Sequence, residues 1–284
     1  MTLAPMSRLV ADARAGRHGI GAFNVVTLEH AEAIVRGAQD AGAAVVLQLS
    51  ENTAAYHGGL APLTAGCLHI ARAATVPVVV HLDHATRRDL VEEAVSLGVP
   101  SVMFDASALD DDANRAETAA VAAYCHERDV WVEAELGEVG GKDGVHAPGA
   151  RTDPATAKAF VAATGVDALA VAVGSSHAML SRDAVLDDEL IARLAATVDV
   201  PLVLHGSSGV PDDGLARAVA AGMVKVNIAT QLNKVMTAEV RRTLDADPRL
   251  VDPRKYLGPG RDAVAAEVAR LLRVLGAGAR RQPS

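Results

Sequence analysis

Aromatic side chains make up only 2% of this 284-residue chain, so there are few rings on which nucleic-acid bases could stack. Basic residues are also outnumbered: 27 Lys and Arg face 35 Asp and Glu, for a net charge of −8. Without a basic patch a phosphate backbone cannot be neutralised, and nucleic acid is not expected as a partner. Cys67 and Cys125 are the only cysteines. They are too few and too far apart for a disulfide scaffold, and the expectation is two buried thiols in a reducing cytoplasm. No apolar run approaches the roughly 18 residues of a membrane span, and Met1 to Arg17 has no long apolar stretch. The reading is therefore no signal peptide and no membrane partner.

What the chain has is a large apolar fraction arranged in alternation. Half of its residues are hydrophobic, enough for a sizeable core. Strand-like runs are expected at Gly21–Asn24, Val45–Leu49, Val78–Leu82, Ser101–Phe104, Val130–Glu135, Ala168–Val173, Leu202–Leu204 and Val224–Ile228. Between them lie helix-period segments at Glu29–Ala41, Arg88–Leu97, Glu117–Arg128, Pro154–Ala163, Asp188–Ala196 and Asp212–Ala221. Gly42, Gly98, Gly165 and Gly222 punctuate several helix ends. Eight such units with no long polar linker predict an α/β fold, a single (β/α)8 TIM barrel over residues 1–284. The competing doubly wound sheet would carry a glycine fingerprint after its first strand, and Gly19-Ile20-Gly21 has no third glycine in place. Glu138–Arg151 reads as a long mobile loop, and Gly276–Ser284 as a frayed tail.

Barrel enzymes build their sites from the C-terminal ends of the strands. There the chain places Asn24, Ser50, Asp83, His84, Asp105, Glu135, His177, His205, Asn227 and Thr230. His84, His177 and His205 each follow an apolar run, and three converging imidazoles make an open divalent metal site. Strand alternation adds an alternative: His81 and Asp83 share a face, so His84 points inward only if the strand has already ended. On that geometry His81 is the other candidate ligand. Asp83, beside a cation, would stay ionised and could move a proton on a substrate hydroxyl, while a metal polarises a carbonyl. Asp105 and Glu135 read as acids that orient an imidazole or ligate a displaced metal.

The small-residue loops His205-Gly206-Ser207-Ser208-Gly209 and Asn227-Ile228-Ala229-Thr230 follow the seventh and eighth strands, the usual phosphate position in such barrels. Schiff-base chemistry would need a lysine inside the barrel. Only Lys225 lies on a predicted strand, below Asn227, where a structural ion pair is the expectation. The pattern is that of a metal-assisted lyase.

Ala22-Phe23-Asn24-Val25, Gln48-Leu49-Ser50, His81-Leu82-Asp83-His84, Ala134-Glu135-Leu136-Gly137, Val173-Gly174-Ser175-Ser176-His177, His205–Gly209 and Val226–Thr230 together resemble the class II, zinc-dependent ketose-bisphosphate aldolases, in the branch holding fructose- and tagatose-bisphosphate aldolases. The resemblance covers nearly the whole chain, in order. It implies that Asp83 is the proton-transfer aspartate, that His84, His177 and His205 bind zinc, and that Asp105 and Glu135 hold a second or displaced metal position. It further implies that Ser50, Ala178, Gly206, Ser207, Ser208, Asn227, Ile228, Ala229 and Thr230 form the cradle for dihydroxyacetone phosphate. A monovalent cation, Na+ or K+, and a homodimer or homotetramer also come with the family.

The chain departs from that pattern in three places. His177-Ala178-Met179-Leu180 stands where the family commonly reads His-Gly-x-Tyr. Gly140-Gly141 is followed by Lys142-Asp143 rather than a Glu pair, so Asp143 or Glu138 would have to serve. Gly258 replaces an arginine that often binds the distal phosphate, with Arg261 three residues on. A non-catalytic sugar-phosphate binder is the competing reading, and retention of Asp83 beside the histidines weighs against it. A metal hydrolase would need another ligand at the first strand, where Asn24 stands.

Overall fold

The computed structural model describes residues 3–136, 151–175 and 182–278. Its strands are β1 (Ile20–Asn24), β2 (Val45–Ser50), β3 (Val78–Ala85), β4 (Ser101–Phe104), β5 (Trp131–Glu135), β6 (Ala168–Ala170), β7 (Leu202–Leu204) and β8 (Met223–Ile228). The helices are α1 (Met6–Gly16), α2 (Leu28–Ala41), α3 (Glu51–Tyr56), α4 (Ala61–Ala73), α5 (Arg88–Ser96), α6 (Asp111–His126), α7 (Pro154–Thr164), α8 (Asp188–Thr197), α9 (Asp212–Ala221), α10 (Thr230–Ala246) and α11 (Pro253–Val274). Each strand pairs in parallel with the next, and β1 also pairs with β8, so the sheet closes on itself as a (β/α)8 barrel. Closure excludes the doubly wound alternative.

Local chemistry explains the boundaries. Asp110, Asp153 and Asp187 each accept a backbone N–H of the first turn that follows, starting α6, α7 and α8. The Asp110 cap is why α6 begins well before the expected Glu117. Gly42 ends α2 at φ 64°, a left-handed conformation that a Cβ would strain. β3 runs past the expected Leu82 to Ala85, whereas β6 stops at Ala170 instead of Val173. Ala277 is buried and bonds back to Leu272 O at 2.9 Å, so the end of α11 is tied down.

The interior changes polarity along the barrel axis. At the N-terminal end Met6, Leu9 and Ala13 of α1 pack under Ile20, Val46 and Val79 and plug the barrel. Each large side chain buried there contributes roughly 1.5–3 kcal/mol. Two residues further along the strands the inward positions become Gln48, His81, Ser101 and Glu133, all fully buried. Above them stand Asn24, Asp83, Glu135 and His205. A second, larger apolar core lies between the strands and the helices and includes Leu47, Val80, Leu169 and Ile228. Among the described residues no helix is long and apolar enough to cross a membrane.

Candidate active site

A cavity of about 650 Å³ opens at the C-terminal ends of the strands, lined by Asn24, Ser50, Asp83, His84, Asp105, Glu135, Gly206, Ser207, Ser208, Asn227, Ala229 and Thr230, with Glu51, Asn52, Thr86, Ser107 and Ala108 at its rim. Of the strand-end residues expected there, Asn24, Ser50, Asp83, His84, Asp105, Glu135, Asn227 and Thr230 line it, and His205 is fully buried behind them.

His84 reaches this cavity by a route that alternation does not foresee. β3 has not ended; instead its pairing with β4 shifts between Leu82 and Ala85, and His84 adopts φ 49°. A non-glycine residue in that region costs conformational energy and is held there by its surroundings. The bulge brings the His84 ring within 4.7 Å of the His205 ring, centroid to centroid. His84 Nδ1 donates to Asp105 Oδ2 at 2.7 Å, and Asp105 Oδ1 accepts from Ser107 N–H at 3.1 Å. With Nδ1 so engaged, Nε2 is the nitrogen His84 can offer to a cation. Burial opposes charge on His84, but Asp83 and the bond to Asp105 outweigh it and raise its pKa. Burial likewise opposes ionisation of Asp105, and the His84 and Ser107 contacts hold its carboxyl well below the usual range. His81, the alternative, stays a layer lower: its Nδ1 lies 2.7 Å from Ser101 Oγ, and burial pushes its pKa down to about 3. It is a neutral packing residue.

His205 is fully buried between two carboxylates. Its Nε2 donates to Glu133 Oε1 at 3.1 Å and its Nδ1 to Glu135 Oε2 at 3.0 Å. Burial works against the imidazolium, yet these two partners raise its pKa to about 10. Glu133 is in turn bonded by Lys225 Nζ at 2.7 Å, and the same ammonium donates to Asn227 Oδ1 at 2.9 Å. Asn227 Nδ2 then donates to Asp83 Oδ1 at 3.4 Å, while Asn24 Nδ2 donates to Asp83 Oδ2 at 3.0 Å. Gln48 Nε2 completes the chain on Asn24 Oδ1 at 3.1 Å. Burial would protonate Asp83; the neighbouring His84, Lys225 and His205 overcome it and lower its pKa. The arrangement keeps the carboxylate ionised and aimed.

Among the described residues one group can hold a metal ion: ligand atoms of His84, Glu135 and His205 all lie within 4.8 Å of one another. Two imidazoles and a carboxylate suit a divalent ion such as zinc. The donor set fits, because Asp105 and Glu133 each hold one ring nitrogen and leave the other for the cavity side. A cation held by His205 Nδ1 would displace the proton that this nitrogen donates to Glu135.

The small-residue loops also sit as expected. Gly206 adopts φ 64°, and Ser207–Gly209 forms a short 3-10 turn at the cavity wall. Ser207 Oγ donates to Asn227 O, binding the two loops together at their base. Ser50 lines the opposite side and caps α3 by accepting Thr53 N–H. Ile228 packs in the outer core, so only its main chain is at hand for a ligand. Arg261, on α11, donates to Glu32 Oε2 of α2 at 2.6 Å and does not line the cavity. His177, Ala178, Glu138 and Asp143 lie outside the described residues.

Glu133 and Gln48 lie one layer below the strand ends and are not among the expected site residues. Glu133 has a sequence signal: Trp131-Val132-Glu133-Ala134-Glu135 puts two acids on one inward face, and a buried strand-interior acid needs a partner such as Lys225.

Comparison with known proteins agrees with this geometry. A family model described as fructose-bisphosphate aldolase class-II matches residues 4–280. Fructose-bisphosphate aldolase of Staphylococcus aureus is 37% identical over 282 residues, covering 97% of this chain and 98% of that protein. The Geobacillus stearothermophilus enzyme of the same name is also 37% identical, over 281 residues. The crystal structure of the YdjI aldolase from Escherichia coli K12 superposes with a TM-score of 0.85 at 30% identity, covering 97% of this chain and 98% of that one. Family, relatives and fold coincide over nearly the whole length: this chain belongs to the class II fructose-bisphosphate aldolases, a family of lyases.

Proposed function

We propose that the chain, acting as one catalytic domain over residues 1–284, reversibly cleaves a ketose phosphate, such as fructose or tagatose 1,6-bisphosphate, to dihydroxyacetone phosphate and an aldehyde. The observation that carries this reading is the Asp83 carboxylate, fixed by Asn24 and Asn227 beside the His84, Glu135 and His205 group. His84 and His205, joined by His177, are assigned to a zinc ion, with Asp105 orienting His84 and Glu135 serving as an alternative ligand. Bound there, the metal supplies the Lewis acid that polarises the substrate ketone.

The chain's own residues do the rest. Asp83 takes the proton of the hydroxyl that becomes the aldehyde carbonyl as the carbon–carbon bond breaks, and returns it in condensation. Asn24 and Asn227 hold that carboxylate in one orientation, so no reorganisation is needed at the moment of transfer. Ser50, Gly206, Ser207, Ser208 and the segment Asn227 to Thr230, with Ala178, are assigned to the triose phosphate, for which backbone N–H and hydroxyl groups are suitable donors. A Na+ or K+ ion near that phosphate, a homodimeric or homotetrameric assembly and a cytoplasmic setting belong to the same reading. The test is incubation of the metal-loaded protein with a panel of ketose mono- and bisphosphates, assayed for dihydroxyacetone phosphate. Turnover of at least one is expected; inertness toward all of them would leave a sugar-phosphate binder.

A further inference from the structure

Outside the cavity, five side chains close a ring around the two loops assigned to phosphate. Gln231, in the first turn of α10, donates its backbone N–H to Ser208 Oγ at 3.4 Å and its side-chain amide to Glu267 Oε1 at 2.9 Å. Glu267, on α11, is held by a two-pronged contact from Arg270, Nε to Oε2 and Nη2 to Oε1, both at 2.8 Å. Arg270 Nη1 reaches across to Asp212 Oδ2, at the start of α9. Asp212 Oδ1 accepts from Arg182 Nη2 at 2.7 Å, and the Arg182 guanidinium also grips Val210 O at 2.7 and 3.1 Å. Val210 directly follows the Ser207–Gly209 turn, which closes the circuit back to Ser208.

This ring has the wrong exposure for a stability device. Arg270 and Asp212 are 39% and 40% exposed, and ion pairs that open to solvent add little to global stability. Its geometry is nevertheless specific. It ties the exit of the loop after β7 and the exit of the loop after β8 to one guanidinium on α11. Neither α9 nor α10 starts on a capping side chain, so neither helix fixes its own first turn. A two-pronged arginine contact fixes direction as well as distance.

We infer that Arg270, acting with Asp212, is a positioning residue for the phosphate end of the site. It touches no ligand itself. It sets the spacing between the Ser207–Gly209 turn and the first turn of α10, so that both present their donors to one phosphate monoester dianion. The inference rests on the phosphate assignment under the proposed function.

The test uses the metal-loaded protein and Arg270→Met, Asp212→Asn and Arg217→Met variants. Arg217 on α9 pairs with Asp188 and Asp213 away from the ring, so its variant removes the same charge without opening it. Calorimetric titration with inorganic phosphate should show Kd about tenfold weaker in Arg270→Met and Asp212→Asn, the worth of one hydrogen bond to a charged group, and unchanged in Arg217→Met. For any ketose phosphate turned over, KM should rise similarly while kcat stays within about twofold and Tm stays near the parent value. Equal phosphate affinity in the parent and both ring variants overturns the inference, as does a parent protein that binds no phosphate. A loss shared by Arg217→Met also overturns it, since that is a bulk charge effect. If the parent cleaves no ketose phosphate yet phosphate affinity falls in the ring variants alone, the aldolase reading fails and this inference stands.

Discussion

The Lys225 ammonium lies 2.7 Å from Glu133 Oε2, two buried charges paired inside the barrel from strands 92 residues apart in sequence. Removing Lys225 leaves buried Glu133 with His205 as its one remaining charged partner, so Lys225→Met should destabilise the protein by roughly 3–5 kcal/mol, measured by chemical denaturation. The double variant Lys225→Met with Glu133→Gln should recover much of that loss, because it removes both charges of the pair together. Since Lys225 is committed to Glu133 and Asn227, borohydride treatment with dihydroxyacetone phosphate should give no adduct by mass spectrometry. A trapped lysine would overturn the metal-dependent mechanism.

Asp83 accepts hydrogen bonds from the amides of Asn24 and Asn227, which fix its carboxylate. Asp83→Ala should therefore lower turnover by roughly 10²–10⁴-fold, the usual worth of a positioned acid–base group, with metal content little changed. Loss of metal together with recovery of rate on metal addition would reassign it as a ligand.

Elemental analysis should find about one divalent ion per chain in the open histidine site, and chelation should abolish activity. Asp105→Asn keeps the shape but weakens the 2.7 Å contact that orients His84. Metal affinity should fall by roughly 10–100-fold, read by competition with a chromophoric chelator. An unchanged affinity would remove Asp105 from the site.

No Lys or Arg lines the described cavity, whereas Glu51, Asp83, Asp105 and Glu135 do. Loss of the distal phosphate should thus cost less in kcat/KM than loss of the proximal one, compared on matched ketose phosphates. Arg261→Ala should leave both values unchanged, because Arg261 is engaged with Glu32 of α2 and does not line the cavity. A strong bisphosphate preference that vanishes in this variant would place Arg261 at the distal phosphate.

The order of the amino acids already carried the alternation of strands and helices, because periodicity and caps such as Asp153 and Gly42 act within a few residues. It also determined which residues stand at the barrel mouth, since Asp83, Asp105, Glu135, His205 and Asn227 each follow an apolar run. The tertiary structure alone decided the aim of those residues. His84 rather than His81 enters the cavity because a register shift between β3 and β4 turns it there, and a register shift belongs to a pair of strands. Lys225 meets Glu133, and Arg270 meets Asp212 and Glu267, only after the barrel has closed and α11 has docked. A strand's period tells which face a side chain takes; which charge waits on that face depends on distant segments that closure brings within hydrogen-bond reach.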